Sequence, residues 1–248
     1  MRNLLWAEIQ KIRRLNIVWI AVFATVMVAV IVFISGWFTY NGSRDIDSAG
    51  WYMDMAQPLA TLFVLPAVVS LLGSYMICRE EDDDTIKSLL LIPVNETKLI
   101  ATKMIITFLF SIFIYLLLFA IAFLTEAILH FSDLSVGMVL DFLKIYFLQG
   151  VGIFLAISPI IALVSYMKKG YWIALVLTEM YSFMGTFMWR SNTLKTLYPI
   201  SAVFGVSGCS DATAQGRIVS IIILLLCGCL SVFILKGFKY SEKNYSYA

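Results

Sequence analysis

The chain has 248 residues, of which 61% are hydrophobic and 14% charged, with a mean hydropathy of +0.90. A soluble domain carries about 25% charged residues, so this chain cannot cover a water-facing surface and falls in the membrane class. The net charge of +2 comes without a basic patch, which excludes a nucleic-acid footprint.

Residues 1–14, MRNLLWAEIQKIRR, place Leu4, Leu5, Trp6, Ile9 and Ile12 at helical spacing, with Arg2, Glu8, Lys11, Arg13 and Arg14 on the other side. The pattern predicts an amphipathic helix lying in the membrane interface. A signal peptide does not fit, because the apolar run that follows is far longer than an h-region of about 7–15 residues.

A spanning helix needs about 20 mainly apolar residues. Six segments qualify between flanking charges: Arg14 to Arg44, Asp54 to Arg79, Lys103 to Glu126, Lys144 to Lys168, Lys169 to Arg190, and Arg217 to Lys236. The expectation is an all-α membrane protein of six transmembrane helices in one domain, 1–248. With the N-terminus inside, thirteen of the 18 Lys and Arg residues fall on the inner face. That bias predicts both termini in the cytoplasm.

Residues 78–103, CREEDDDTIKSLLLIPVNETKLIATK, join the second and third spans and form the longest charged interval. Glu80, Asp82 and Asp84 belong to an acidic run that complements a helix N-terminus. Ile86, Leu89 and Leu90 follow as an i, i+3, i+4 stripe, Pro93 ends the element, and Asn95 can cap the next helix. An apolar stripe on a short cytosolic helix needs a partner or the membrane surface to bury it. Glu80, Asp82, Asp84, Thr85, Ile86, Leu89 and Leu90 are therefore candidate docking residues. Lys168 and Lys169, in the tight hairpin on the same face, join them. The acids lack the loop spacing of an EF-hand, so no calcium site is expected.

Pro66 and Pro159 lie near the middles of the second and fourth spans, where each removes a backbone donor and should kink its helix. Glu126, at the outer end of the third span, reads as an interface residue. Glu179 lies near the centre of the fifth span beside Thr178, Tyr181 and Ser182. A charge at bilayer centre costs at least about 2.5–3.5 kcal/mol, so it should face protein or water. It reads either as part of a polar transport path with Tyr181, Pro66 and Pro159, or as a protonated acid bonded to a neighbouring helix.

The outer loop 190–216 is apolar between Leu197 and Val206. It is either a re-entrant segment covered by protein or an ordinary loop with a hydrophobic tip. Cys227-Gly228-Cys229 sits inside an apolar run, too close for an ordinary disulfide, and reads as packing rather than as a metal site. His130 is the one histidine, which excludes a two-histidine zinc-protease motif. There is no G-x-x-x-x-G-K-[ST] phosphate-binding loop and no G-x-S-x-G elbow.

Three blocks carry a resemblance. MRNLLWAEIQKIRRLNIVWI resembles the N-terminus of exporter-type permeases of ATP-binding-cassette transporters, which open with an amphipathic elbow helix, a basic cluster and the first span. Within 78–103, Glu80, Asp82, Thr85, Ile86, Leu89, Leu90, Pro93 and Lys103 resemble the loop between spans two and three of that family. Asp84 stands where a Gly is usual, and Asn95-Glu96 where an Arg is common. Third, the family places re-entrant outer helices before the last span, the position of 190–216. The length and elbow look most like permeases for bacitracin and lantibiotic self-protection.

The resemblance implies a permease subunit of the bacterial plasma membrane that is not itself an ATPase and holds no cofactor. It would pair with a second permease subunit, sit on two copies of a cytosolic ATPase through the coupling helix in 78–103, and remove an amphiphilic peptide antibiotic from the membrane lipid. Two other classes remain open: a non-transporting membrane anchor or sensor that recruits a cytosolic partner, and a membrane-embedded enzyme using Glu179 as its acid.

Overall fold

The computed structural model describes residues 2–12, 15–40, 43–82, 96–164, 166–167, 170–188, 191–210 and 212–237. Their regular structure is α-helical apart from a two-residue antiparallel ladder, β1 (Thr39–Tyr40) with β2 (Ser43–Arg44), and a short 3-10 turn, Asp45–Asp47. The helices are α1 (Arg2–Ile12), α2 (Asn16–Trp37), α3 (Trp51–Phe63), α4 (Leu65–Asp82), α5 (Glu96–Leu129), α6 (Val136–Val164), α7 (Tyr171–Met188), α8 (Asn192–Leu197), α9 (Pro199–Ser207) and α10 (Ala214–Lys236).

Among the described residues, α2, α5, α6 and α10 are each long and apolar enough to cross a membrane, and α3 with α4 makes a fifth candidate as one bent span. The remaining expected span, the fifth, corresponds to α7, an 18-residue helix that carries Thr178, Glu179, Ser182 and Thr186. α5 and α6 outrun their expected limits, since Lys103 and Glu126 lie inside α5 and Lys144 inside α6. Flanking charges were poor end-markers there because protein groups receive the charges of Lys103 and Glu126.

Two of the helices, α2 and α7, bury their small residues and turn their large apolar ones outward. On α2, Ala21, Thr25, Val28, Ala29, Val32 and Gly36 are buried, while Trp19, Phe23, Met27, Ile31 and Ile34 point outward. On α7, Ala174, Thr178, Ser182 and Gly185 are buried, and Trp172, Val176, Met180, Phe183 and Phe187 are exposed. Hydrocarbon solvates a large apolar side chain as well as a protein core does, so association is driven by close backbone approach over small residues. At Gly36 a Cβ would stand 2.3 Å from the Trp51 ring, which shows how close the chains come.

Pro66 explains the bend in the second span. It has no N–H to donate to Leu62, so the helix stops at Val64 (φ −130°, ψ −59°). It restarts with Pro66 in the first turn of α4, where helical N–H groups lack intrahelical partners in any case. The two halves meet at 46°. Pro159 behaves differently: α6 runs through it to Val164. The missing donor would orphan the Leu155 carbonyl, and the Ser158 hydroxyl donates to that carbonyl instead, at 2.9 Å.

The residues between Leu197 and Val206 are not a loop with a hydrophobic tip. Pro199 starts α9, Gly208 ends it in the left-handed region (φ 90°), and Ile200, Val203 and Phe204 are fully buried in the main core. The expected N-terminal helix is present as α1. Its apolar side chains divide, with Leu4, Leu5 and Ile12 packed on the bundle and Trp6 and Ile9 exposed.

Candidate functional site

The predicted docking residues fall mostly outside the described residues: Asp84, Thr85, Ile86, Leu89, Leu90, Lys168 and Lys169 do, and Glu80 and Asp82 enter only as the last turn of α4. What is described is the frame around them. The N-terminus of α5 lies at the bundle end where Leu4 of α1, Leu99 and Ile100 of α5, Ala162 of α6 and Leu235 of α10 form one apolar cluster. Lys103, buried in α5, donates from its ammonium to the Met76 carbonyl of α4. The two helices that flank 83–95 are thus tied together by a buried cation.

The centre of the bundle holds a polar seam. Gln149 Nε2 on α6 donates to Gln57 Oε1 on α3 at 2.9 Å, and Gln57 Nε2 donates to the Met53 carbonyl at 3.0 Å. The Tyr146 hydroxyl donates to the same carbonyl at 2.8 Å, and the Tyr115 hydroxyl on α5 donates to Thr61 Oγ1 at 3.1 Å. Gln57, Thr61, Tyr115, Tyr146 and Gln149 are all fully buried. On the far side of the bend, Thr178 Oγ1 of α7 donates to Ser70 Oγ of α4 at 2.8 Å. The α3 half of the bent span is bonded to α5 and α6, and the α4 half to α7 and, through Lys103, to α5. Gln57 and Gln149 stand in plain view in apolar runs, and sequence reasoning passed over both while weighing the carboxylates.

At the other end of the bundle, Glu126 is fully buried rather than interfacial. Its Oε1 accepts the Gly50 N–H at 2.6 Å and lies 3.1 Å from His130 Nδ1. Gly50 precedes α3 in the left-handed conformation (φ 87°), which glycine adopts without steric cost. A carboxylate against the first N–H of a helix meets the positive end of its dipole. Glu126 fixes the entry of α3 to the end of α5, and Tyr52 adds a bond from its hydroxyl to the Ala29 carbonyl of α2 at 2.7 Å.

Glu179 is half-buried on α7, and its Oε2 is buried with no hydrogen-bond partner among the described residues. Tyr181 is half-buried against the core, and its carbonyl accepts the Tyr198 hydroxyl at 2.6 Å. Pro66 is buried beside the bend and Pro159 half-buried in α6. None of these four lines the cavities at α2, α3 and α5 (about 430 Å³, with Tyr52 and Thr125) or at α5, α6 and α10 (about 780 Å³). Neither of these two cavities gathers Glu179, Tyr181, Pro66 and Pro159 among the described residues.

Comparison with known proteins adds the family. Residues 4–185 match the family described as ABC-2 family transporter protein, well over half of the chain. The chain is also 28% identical over 134 residues to the bacitracin transport permease protein BCRB of Bacillus licheniformis, a match that covers 54% of this chain and 64% of that relative. With its apolar spanning helices and the match over 4–185, this integral membrane protein belongs to the ABC-2 family of transporter proteins.

Proposed function

We propose that the chain is the membrane permease subunit of an ATP-driven exporter that removes a peptide antibiotic of the bacitracin or lantibiotic kind from a bacterial plasma membrane. The match to the ABC-2 family over 4–185 carries this reading, and the bacitracin permease of Bacillus licheniformis points to the substrate class. ATP is hydrolysed by a separate cytosolic subunit present in two copies, and a second permease subunit completes the path. Both termini face the cytoplasm, α7 is the fifth of six spans, α1 is the interfacial elbow and α9 a re-entrant helix. The segment 83–95, with Glu80, Asp82 and Lys168–Lys169 beside it, docks into the ATPase. The Lys103 tie to α4 supports that role, because a push on either flank of 83–95 reaches both helices.

The test is co-purification of the tagged permease with its ATPase, together with bacitracin and lantibiotic resistance in cells. Changing Ile86, Leu89 and Leu90 together to Asp should abolish ATPase recovery and resistance while the permease remains in the membrane. Full ATPase recovery from that variant would overturn the docking assignment. Normal growth of a permease deletion strain on bacitracin and on a lantibiotic panel would overturn the substrate class.

A further inference from the structure

The largest cavity among those described is a groove of about 780 Å³ between α5, α6 and α10, outside the polar seam and away from Glu179. Phe154, Ala101, Ser158, Gly228 and Ser231 are among the residues that shape it, and Lys236 stands at its end. The volume is that of a small-molecule site, about 300–1,000 Å³. Along α10 the lining runs from Leu225 to Lys236, which at the helical rise is roughly 16 Å. Half of a hydrocarbon core of about 30 Å is nearly the same length, so the groove covers one leaflet. The Lys236 side chain is exposed and makes no hydrogen bond or ion pair among the described residues. Lys98, on the exposed first turn of α5, belongs to the same end of the bundle, where Leu99 and Leu235 meet in one cluster.

We infer that this groove is a binding site for one anionic glycerophospholipid, its acyl chain lying between α5, α6 and α10 and its phosphate beside Lys236. Charge and shape both select this occupant. An apolar wall ending in a cation matches a molecule that is hydrocarbon along one leaflet and negative at its end, and a lysine stem can follow the groove while its ammonium reaches the headgroup.

The experiment uses the full chain purified in zwitterionic detergent, with native mass spectrometry after titration with phosphatidylglycerol, phosphatidylcholine or an isoprenyl phosphate of similar mass. Wild-type protein should retain one phosphatidylglycerol in preference to phosphatidylcholine. Lys236→Gln should weaken that retention about fivefold, the scale of one lysine at an anionic lipid surface, and leave phosphatidylcholine unchanged. Arg217→Gln, at the opposite end of α10, should change neither. Ala101→Leu, which fills the groove, should reduce retention of both lipids. Equal retention of the two glycerolipids, equal effects of Lys236→Gln and Arg217→Gln, or stronger retention of the isoprenyl phosphate would each overturn the assignment. Oxidative cross-linking of two copies through Cys229, which lines the groove and is exposed, would also overturn it, because a second copy would then occupy the site.

Discussion

The Gln57–Gln149 pair offers a sharp test of the seam. Methionine has nearly the shape of glutamine and no hydrogen-bonding head. Gln149→Met leaves Gln57 Oε1 buried without its donor, and Gln57→Met leaves Gln149 Nε2 without its acceptor. An unsatisfied buried group costs about 1–3 kcal/mol, whereas replacing both partners by apolar groups of the same shape is nearly neutral. Gln149 Oε1 already lacks a partner among the described residues, so Gln149→Met also removes an existing penalty and should be the milder single change. The Met53 carbonyl keeps the Tyr146 hydroxyl in every variant. We expect losses of about 1 kcal/mol for Gln149→Met and about 2 kcal/mol for Gln57→Met, with the double variant within about 1 kcal/mol of wild type. The resulting coupling of about 2 kcal/mol or more lies above the membrane hydrogen bonds measured so far, roughly 0.6 on average and 1.7 at most. Reversible unfolding in bicelles, run as a double-mutant cycle, measures it. A double variant as unstable as the two losses added together would show that the glutamines act independently and would refute the paired reading.

Glu126→Ala should lower stability by roughly 1.5–3 kcal/mol, the value of a hydrogen bond to a charged group, seen as a fall in detergent Tm. Glu126→Gln, which keeps an acceptor for the Gly50 N–H, should lose less than half as much. Ser158→Ala should cost about 1 kcal/mol and raise amide exchange near Leu155, because the carbonyl that Pro159 leaves open then has no donor. Glu179→Gln should lower bacitracin or lantibiotic resistance in cells with ATPase co-purification unchanged, and full resistance at normal expression would remove its charge from the mechanism.

The membrane class and the helices α2, α5, α6 and α10 were legible in the sequence because long apolar runs have few alternatives in hydrocarbon. Pro66 and Pro159 lack the same N–H, and the break at Pro66 was legible from it, whereas α6 continues through Pro159. Only at Pro159 does the preceding hydroxyl, Ser158, take over the bond, and that depends on a rotamer the sequence does not carry. Glu126 was misread because its partner is a backbone N–H 76 positions away. The seam was missed because a glutamine in an apolar run does not announce which helix it faces. The small-residue face of α7, made by Ala174, Thr178, Ser182 and Gly185, went unread because Glu179 stood out between Thr178 and Ser182. The structure turns those two residues toward the protein, and Thr178 toward Ser70 in particular. The docking residues rest on the charge pattern and the resemblance, since 83–95 and 168–169 lie outside the described residues.

The bond between α4 and α7 also bears on how the chain is made. α2 and α10 are apolar enough to leave the translocon for lipid unaided, but α7 carries Glu179 and a hydroxyl face that hydrocarbon does not welcome. Its partner, the Ser70 hydroxyl, lies on α4, which emerges from the ribosome about a hundred residues earlier. On the six-span reading proposed above, insertion of α7 is a pairing event with an already seated helix. Glycosylation mapping of α7 in a host protein without α4 should find it poorly inserted, and restoring α4, but not Ser70→Val α4, should bring it back.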